Sequence, residues 1–430
     1  MLIQFSASNF RSFFDEKILS LEATSITEFK ENVAETPKGK LNKCAVLYGA
    51  NASGKSNFLR AMGLMKNLVF RSFDQSSSSP LPFDPFLLKI NSSKEPTSFE
   101  VVFLIKDYKY RYGLEFDNKS IRAEWLFVTE KRKEKVLFIR EGNGIEVFPA
   151  FKEGFNLEEK TRSNALFLNV VDQFNGPISR LVMQWFNNFN VIDGISHTGY
   201  RGVTFKMLED AKINQQLNEF FKELDLGFDH LEIEKEIFDP DTITQGLPED
   251  LVKQVVADLE GQTIVNLTSK HKIFDDEGNF TNSFRDFNVR RQESSGTNKI
   301  IDLSGPIFDT LKGGGILAVD ELDAKLHPLL TIAIVKLFQN QETNPKNAQL
   351  IFATHNTTAL GLGRLRRDQI YFTEKDELGV SDLYSLVEYS FKGKKVRKDN
   401  SFERDYIRGR YGAIPFIGDL QKLNIEWQEK

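Results

Sequence analysis

Short apolar runs, each closed by a turn or followed by a helical stripe, organise this chain. Residues 1–5 and 17–21 read as strands, with Asn9-Phe10-Arg11-Ser12-Phe13 between them. Residues 43–48 (KCAVLY) form an apolar run that ends in a glycine-rich loop. Phe58, Leu59, Met62, Met65 and Leu68 then recur at helical spacing over 57–70. Residues 74–85 hold three prolines and a run of serines, the composition of an exposed loop. From 98 to 148, the runs FEVVFLI, YKYRYGLEF, IRAEWLFVTE, EKVLFIRE and GIEVFP alternate with charged or Gly/Asn-bearing turns, which predicts an antiparallel meander.

Beyond residue 158 the period changes. Leu166, Val170, Val171 and Phe174, then Ile178, Leu181, Val182, Trp185 and Phe186, mark amphipathic helices, and 204–224 predicts one more. Residues 230–287 mix short strands with polar loops and show neither a repeat nor sustained heptads. The last third returns to strand–helix alternation, with buried strands at 315–319 (GILAV) and 349–353 (QLIFA) around a helix at 329–338. Strands at 369–373 and 382–386 follow. The pattern predicts an α/β fold: one sheet built from both ends of the chain and split by a mainly helical insertion. The expected division is 1–155 for an N-terminal lobe, 156–285 for an insertion that is helical and then mixed, and 286–430 for a C-terminal lobe.

Composition narrows the classes. Lys+Arg 56 against Asp+Glu 61 gives a net charge of -5, so nothing global points to nucleic acid. DNA contact is left to a local patch such as Lys392, Lys394, Lys395, Arg397 and Lys398, which reads more simply as a solvated loop. The single cysteine, Cys44, excludes an intramolecular disulfide framework and a Cys-rich zinc module. No run approaches the roughly 18 apolar residues of a membrane span, and the first residues lack a basic flank before an apolar core. A cytoplasmic protein without membrane contact is expected. Phe 38 in 430 residues, at modest net charge, excludes disorder over most of the chain.

The chemistry concentrates in a few motifs. Residues 49–56, GANASGKS, match G-x-x-x-x-G-K-[ST] and lie between an apolar strand and an amphipathic helix. In such a loop the backbone N–H groups face phosphate oxygens. Asn51, Ser53, Gly54, Lys55, Ser56 and Asn57 are the candidate ATP-binding residues. Gly54 permits close approach, Lys55 reaches the β and γ phosphates, and the Ser56 hydroxyl holds Mg²⁺. The strand GILAV runs into Asp320-Glu321, where Asp320 would hold Mg²⁺ through its water shell and Glu321 would polarise the attacking water. His355 follows the next buried strand and would bind the γ-phosphate and orient that water. Lys55, Glu321 and His355 are the candidate catalytic residues.

Taken together, NFRSF, GANASGKS, ESSGT at 293–297, ILAVDELD and FATHN resemble the SMC/RecF/OLD branch of ABC ATPases. The resemblance implies that Arg11 and Ser12 lie at the adenine. It also implies that Ser294 and Gly296 belong to a signature loop that contacts the γ-phosphate on a second subunit, and that Leu322-Asp323 forms a D-loop. A homodimer or higher oligomer closed around ATP follows from it. SMC proteins carry a long coiled coil between the halves, and this sequence does not. Arg366-Arg367-Asp368-Gln369-Ile370, Asp382-Leu383-Tyr384-Ser385-Leu386, and Tyr406 with residues 409–415 (GRYGAIP) resemble the tail of RloA/AbiL-type ATPases, relatives of the PARIS ATPase AriA and the Septu ATPase PtuA. That likeness implies a bacterial anti-phage, abortive-infection system with a separately encoded effector, an RloB-like, TOPRIM or HNH nuclease protein. The alternative is an OLD/RecF-like ATPase acting directly on DNA. For a nuclease on the same chain, Asp239, Asp241, Glu249 and Asp250 cluster in sequence, although FDPDT and LPED have loop chemistry. The 409–415 run reads from its residues as a buried turn with core aromatics.

Overall fold

In the computed structural model, the chain is described over residues 1–72, 76–237, 256, 263–362, 364–391, 394–396 and 401–415. The acid clusters at 239–250 and Lys392, Arg397 and Lys398 lie outside these residues. The chain opens with β1 (Leu2–Ser8), β2 (Lys17–Ser20), the hairpin β3 (Val33–Thr36) and β4 (Gly39–Asn42), then β5 (Cys44–Gly49) and α1 (Lys55–Arg71). The meander follows as β6 (Thr97–Ile105), β7 (Tyr108–Phe116), β8 (Ile121–Thr129), β9 (Glu134–Glu141) and β10 (Gly144–Val147). Next come α2 (Phe167–Gln173), α3 (Pro177–Asn187), β11 (Phe189–Asp193), α4 (Arg201–Leu208) and α5 (Ala211–Glu223). They lead into β12 (His230–Ile237), β13 (Thr263–Phe274), β14 (Phe280–Asn288), α6 (Val289–Gln292) and α7 (Ser295–Gly313). The last part holds β15 (Ile316–Asp320), α8 (Pro328–Gln339), β16 (Gln349–Ala353), α9 (Thr358–Leu362), β17 (Ile370–Lys375), β18 (Ser381–Ser385) and α10 (Phe402–Ile407).

Two compact units result. One comprises Met1–Ile195, Thr310–Ala324 and Thr331–Lys430, the other Ser196–Asp309 and Lys325–Leu330. The first unit holds a six-stranded sheet in the order β11-β15-β16-β5-β17-β18. Its first five strands are parallel, and β18 pairs antiparallel with β17. The central strands β5 and β16 are buried at every position. A strand covered on both faces has no reason to alternate, which is why these strands read as continuous apolar runs. The strand order has a functional consequence: β16 lies between β5 and β15, so residues leaving β16 emerge between the glycine-rich loop and the paired acids.

The same unit carries a seven-stranded antiparallel sheet, β10-β9-β8-β7-β6-β1-β2. Its inner face shares one core with α1, α2 and α3, and much of the phenylalanine excess is spent there. Phe5 meets Phe58 edge-on at 5.6 Å, and Phe103 stacks on Trp185 at 4.1 Å. Aromatic pairs of this kind add about 0.5–1.5 kcal/mol beyond the area they bury. The buried Glu124 holds the start of α2, accepting from the Phe167 and Leu168 N–H groups at 2.6 and 3.0 Å and from Tyr112 Oη at 2.9 Å. A carboxylate at a helix N-terminus satisfies donors that have no partner within the helix.

The expected insertion at 156–285 and the second compact unit differ at both ends. The apolar faces of α2 and α3 pack into the first unit's core, whereas 286–309 group with the second unit. That unit is mixed rather than mainly helical, with a three-stranded antiparallel sheet, β12-β13-β14, beside its helices. Two readings change within it. The single helix expected at 204–224 is two, because the Asp210 side chain accepts from the Lys212 and Ile213 N–H groups and starts α5 afresh. The short strands expected at 230–287 are long, with 12 residues in β13. β14 is exposed over seven consecutive positions, so no apolar alternation marks it in the sequence. Among the described residues, no helix is long and apolar enough to cross a membrane.

Candidate nucleotide site

The glycine-rich loop leaves β5 and enters α1 with Gly54 as the helix N-cap, at φ +124. Both loop glycines are demanded by what packs behind them. A Cβ on Gly54 would lie 2.6 Å from Ser381 Oγ, and one on Gly49 would collide with the Thr373 carbonyl oxygen. The ends of β17 and β18 therefore form a floor under the loop. Ser53 Oγ meets Thr373 Oγ1 at 2.6 Å, and Ser381 Oγ donates to the Ser53 carbonyl at 2.6 Å. The NFRSF segment joins the same floor. Ser381 N–H donates to the Ser12 carbonyl at 2.7 Å, and Asn57 Nδ2 donates to Ser12 Oγ at 2.9 Å. Thr373 and Ser381 had no motif to betray them in the sequence.

Lys55 is buried and donates to the Gly49 and Ala50 carbonyls at 2.8 and 3.0 Å. Burial lowers its pKa from the ordinary 10.5 to about 8, against the opposing pull of Asp320, Glu321 and Asp323. Asp320 closes β15 and is raised by burial, opposed by a hydrogen bond from Ser56 and by Arg60. Glu321 turns sharply off the strand at φ +51, a backbone region uncommon for a residue with a side chain. Gly194 enables that turn, since a Cβ there would lie 2.5 Å from the Glu321 carbonyl oxygen. The following residue, Leu322, donates its N–H to Ala353 of β16 at 3.2 Å.

His355 emerges from β16 beside these acids, its N–H donating to Asp323 Oδ2 at 3.3 Å. The residue is exposed. Desolvation by the surrounding chain, together with the Lys55 charge, moves its pKa below the usual 6.5, against Asp323, Glu321 and Asp320. The imidazole is thus mostly neutral at pH 7. A cleft of about 840 Å³ is lined by the loop, Asn57, Arg60, Glu321, His355 and Lys375. Residues separated by more than 300 positions thereby face one volume large enough for a nucleotide's phosphates. Arg60 and Lys375 bring positive charge that no motif announced.

The other expected residues fall elsewhere. Arg11 pairs with Asp84 through Nε at 2.7 Å, and with Ser12 it lies outside the lining of this cleft. Ser294 and Gly296 belong to the second unit. There Ser294 Oγ accepts from the Thr297 N–H at 3.1 Å, and a Cβ on Gly296 would lie 2.8 Å from the Lys325 carbonyl oxygen. His327 Nδ1 accepts from the Leu329 N–H at 3.3 Å at the start of α8.

The donor set fits a hard divalent cation. Asp320 Oδ1 is buried without a hydrogen-bond partner, on the carboxylate that accepts from Ser56. Mg²⁺ needs few protein oxygens, because phosphates and water complete its shell. Among the described residues, no group of three or more His, Cys, Asp or Glu side chains is placed to hold a metal unaided.

The tail motif packs behind the loop strand. Tyr406 stacks on Phe372 at 5.3 Å and lies 5.6 Å from Tyr48 of β5, while Tyr411 lies 5.7 Å from Phe372. Tyr384 Oη donates to the Tyr411 carbonyl at 2.6 Å, and Tyr406 Oη to that of Ala413 at 3.1 Å. Arg366 is buried against Asp368 at 2.8 Å and donates to the Glu28 carbonyl, as a structural pair.

A protein-family model described as "AAA domain, putative AbiEii toxin, Type IV TA system" matches residues 44–361. The match runs from the first residue of β5 to α9 and takes in the loop, the paired acids and His355. No curated protein matches the chain.

Proposed function

The chain belongs to the AAA-domain family matched over residues 44–361, and on that premise we propose that it is an ATPase subunit of ABC/SMC-like design. Two copies close head to tail around ATP, and the switch acts on a separately encoded effector in a bacterial anti-phage defence system of the RloA/AbiL type. The observation that carries the reading is the meeting of Lys55, Glu321 and His355 at one cleft.

Lys55 is spent on two loop carbonyls, and a triphosphate offers it stronger, charged acceptors. Loop N–H groups and the N-terminus of α1 receive the phosphate oxygens. Ser56 and Asp320 would hold Mg²⁺, which supplies charge neutralisation at the phosphates when bound. Glu321 orients the attacking water and takes its proton. His355 lines the same cleft, and its ring nitrogens hydrogen-bond the attacking water or the γ-phosphate. Ser294 and Gly296 of a second copy complete the site. Loss of the γ-phosphate removes the preference for the closed pair and resets the switch.

The family description names a toxin of a type IV toxin–antitoxin system, which suits a chain that works beside a second protein. The test is hydrolysis by the purified chain and protection of cells against phage when the chain is expressed with its neighbouring reading frame. Lys55→Ala is expected to lose both. Full hydrolysis in that variant would overturn the proposal.

A further inference from the structure

Inside the second unit, buried polar groups run from α4 to the loop at Ser294. Asn298 lies one helical turn beyond that loop and donates its amide to the carbonyls of Val289, Glu293 and Ser294 at 2.9, 3.1 and 3.1 Å. Its Oδ1 accepts from Arg201 Nη2 at 2.7 Å. Arg201 is itself fixed by the fully buried Asp302, through Nε to Oδ1 at 2.5 Å and Nη2 to Oδ2 at 3.2 Å. His197 Nδ1 meets the same carboxylate at 2.8 Å.

One turn further along, α4 meets α7 where Pro306 interrupts its hydrogen bonding. Pro306 has no N–H for the Asp302 carbonyl, and Thr204 Oγ1 approaches that carbonyl at 3.3 Å and the Ile301 carbonyl at 2.9 Å. The Gly305 N–H donates to the same hydroxyl at 3.1 Å, and a Cβ on Gly305 would lie 2.5 Å from the Thr204 nitrogen. α4 and the start of α7 are thus held in fixed register.

A buried carboxylate with its cation contributes little net stability over apolar packing of the same volume. What the set supplies is orientation. It fixes the Asn298 amide, and that amide draws three carbonyls around the loop inward while Ser294 and Ser295 remain exposed. We infer that Asn298, clamped by Arg201 and Asp302, is the positioning residue that presets the Ser294–Gly296 loop to receive the nucleotide of a second copy. The inference rests on the two-copy reading above.

The test uses the full chain in a Glu321→Gln background and measures two quantities. One is the affinity of dilute, monomeric protein for a fluorescent ATP analogue; the other is the dissociation constant of the ATP-dependent dimer by analytical ultracentrifugation. Asn298→Ala removes the clamp. Asn298→Asp keeps an acceptor for Arg201 but loses both donors, and it decides the matter if the alanine variant folds poorly. Both are expected to leave the monomer's affinity within about twofold and to weaken the dimer about tenfold or more. Arg201→Lys, which keeps the charge without the fork, falls between. Dimers as tight as the parent's in both Asn298 variants overturn the inference alone. A parent that binds ATP yet never dimerises overturns the two-copy reading and this inference with it.

Discussion

The affinity of this chain for ATP should fall as the solution becomes alkaline, because Lys55 is held near pKa 8 by burial. In the proposed role only the charged lysine would contact the phosphates, so the apparent dissociation constant would scale as one plus ten to the power of pH minus 8. Between pH 7 and pH 9 that factor grows about tenfold, or about 1.4 kcal/mol. A lysine at its ordinary 10.5 would change the constant by only a few per cent over the same span. The empty protein moves the opposite way. The unfolded chain keeps the lysine proton to 10.5 while the folded chain releases it near 8, so the contribution of Lys55 to stability rises across that interval. Titration with a fluorescent ATP analogue at fixed Mg²⁺ reads the affinity, and Lys55→Arg, charged throughout, should give a flat profile. A flat wild-type profile from pH 7 to 9 would mean that Lys55 stays charged throughout that range.

Three other outcomes are expected. Glu321→Gln should lower kcat by about 10²–10⁴ while leaving nucleotide affinity nearly unchanged, measured by phosphate release and by direct titration. Gly54→Ala should destabilise the chain by about 2–4 kcal/mol, since it combines a strained positive φ with a Cβ 2.6 Å from Ser381 Oγ. Ser381→Gly added to it should recover the steric part only, which a double-mutant cycle in urea resolves. Glu124→Ala should cost about 3–5 kcal/mol, because it strands the buried Arg140, 3.9 Å away, and uncaps α2; a lower urea midpoint with unaltered ATP turnover per folded chain checks this.

Much of the first unit was legible in the sequence because its physics is local. A fully buried parallel strand announces itself as an apolar run, and β16 begins and ends where QLIFA does. The motif residues were legible for the same reason: phosphate binding needs a fixed local order of glycine, lysine and hydroxyl. What holds that loop was not legible. Thr373 and Ser381 lie more than 300 residues away, and their small hydroxyls look like any others until β17 pairs with β5. The unit boundary was obscured because α2 and α3 are amphipathic whichever core receives them. β14 was obscured because a strand exposed over seven consecutive positions lacks the alternation that burial imposes. Asn298, Arg201 and Asp302 escaped notice because their partners are backbone carbonyls and one another.

Light scattering on the Glu321→Gln chain with ATP and Mg²⁺ reads the closure of two copies around the nucleotide. The 49.3 kDa species is expected to double in mass with ATP, but not with ADP and not in the Lys55→Ala variant. A chain that binds ATP tightly and keeps its single mass at every protein concentration would contradict it.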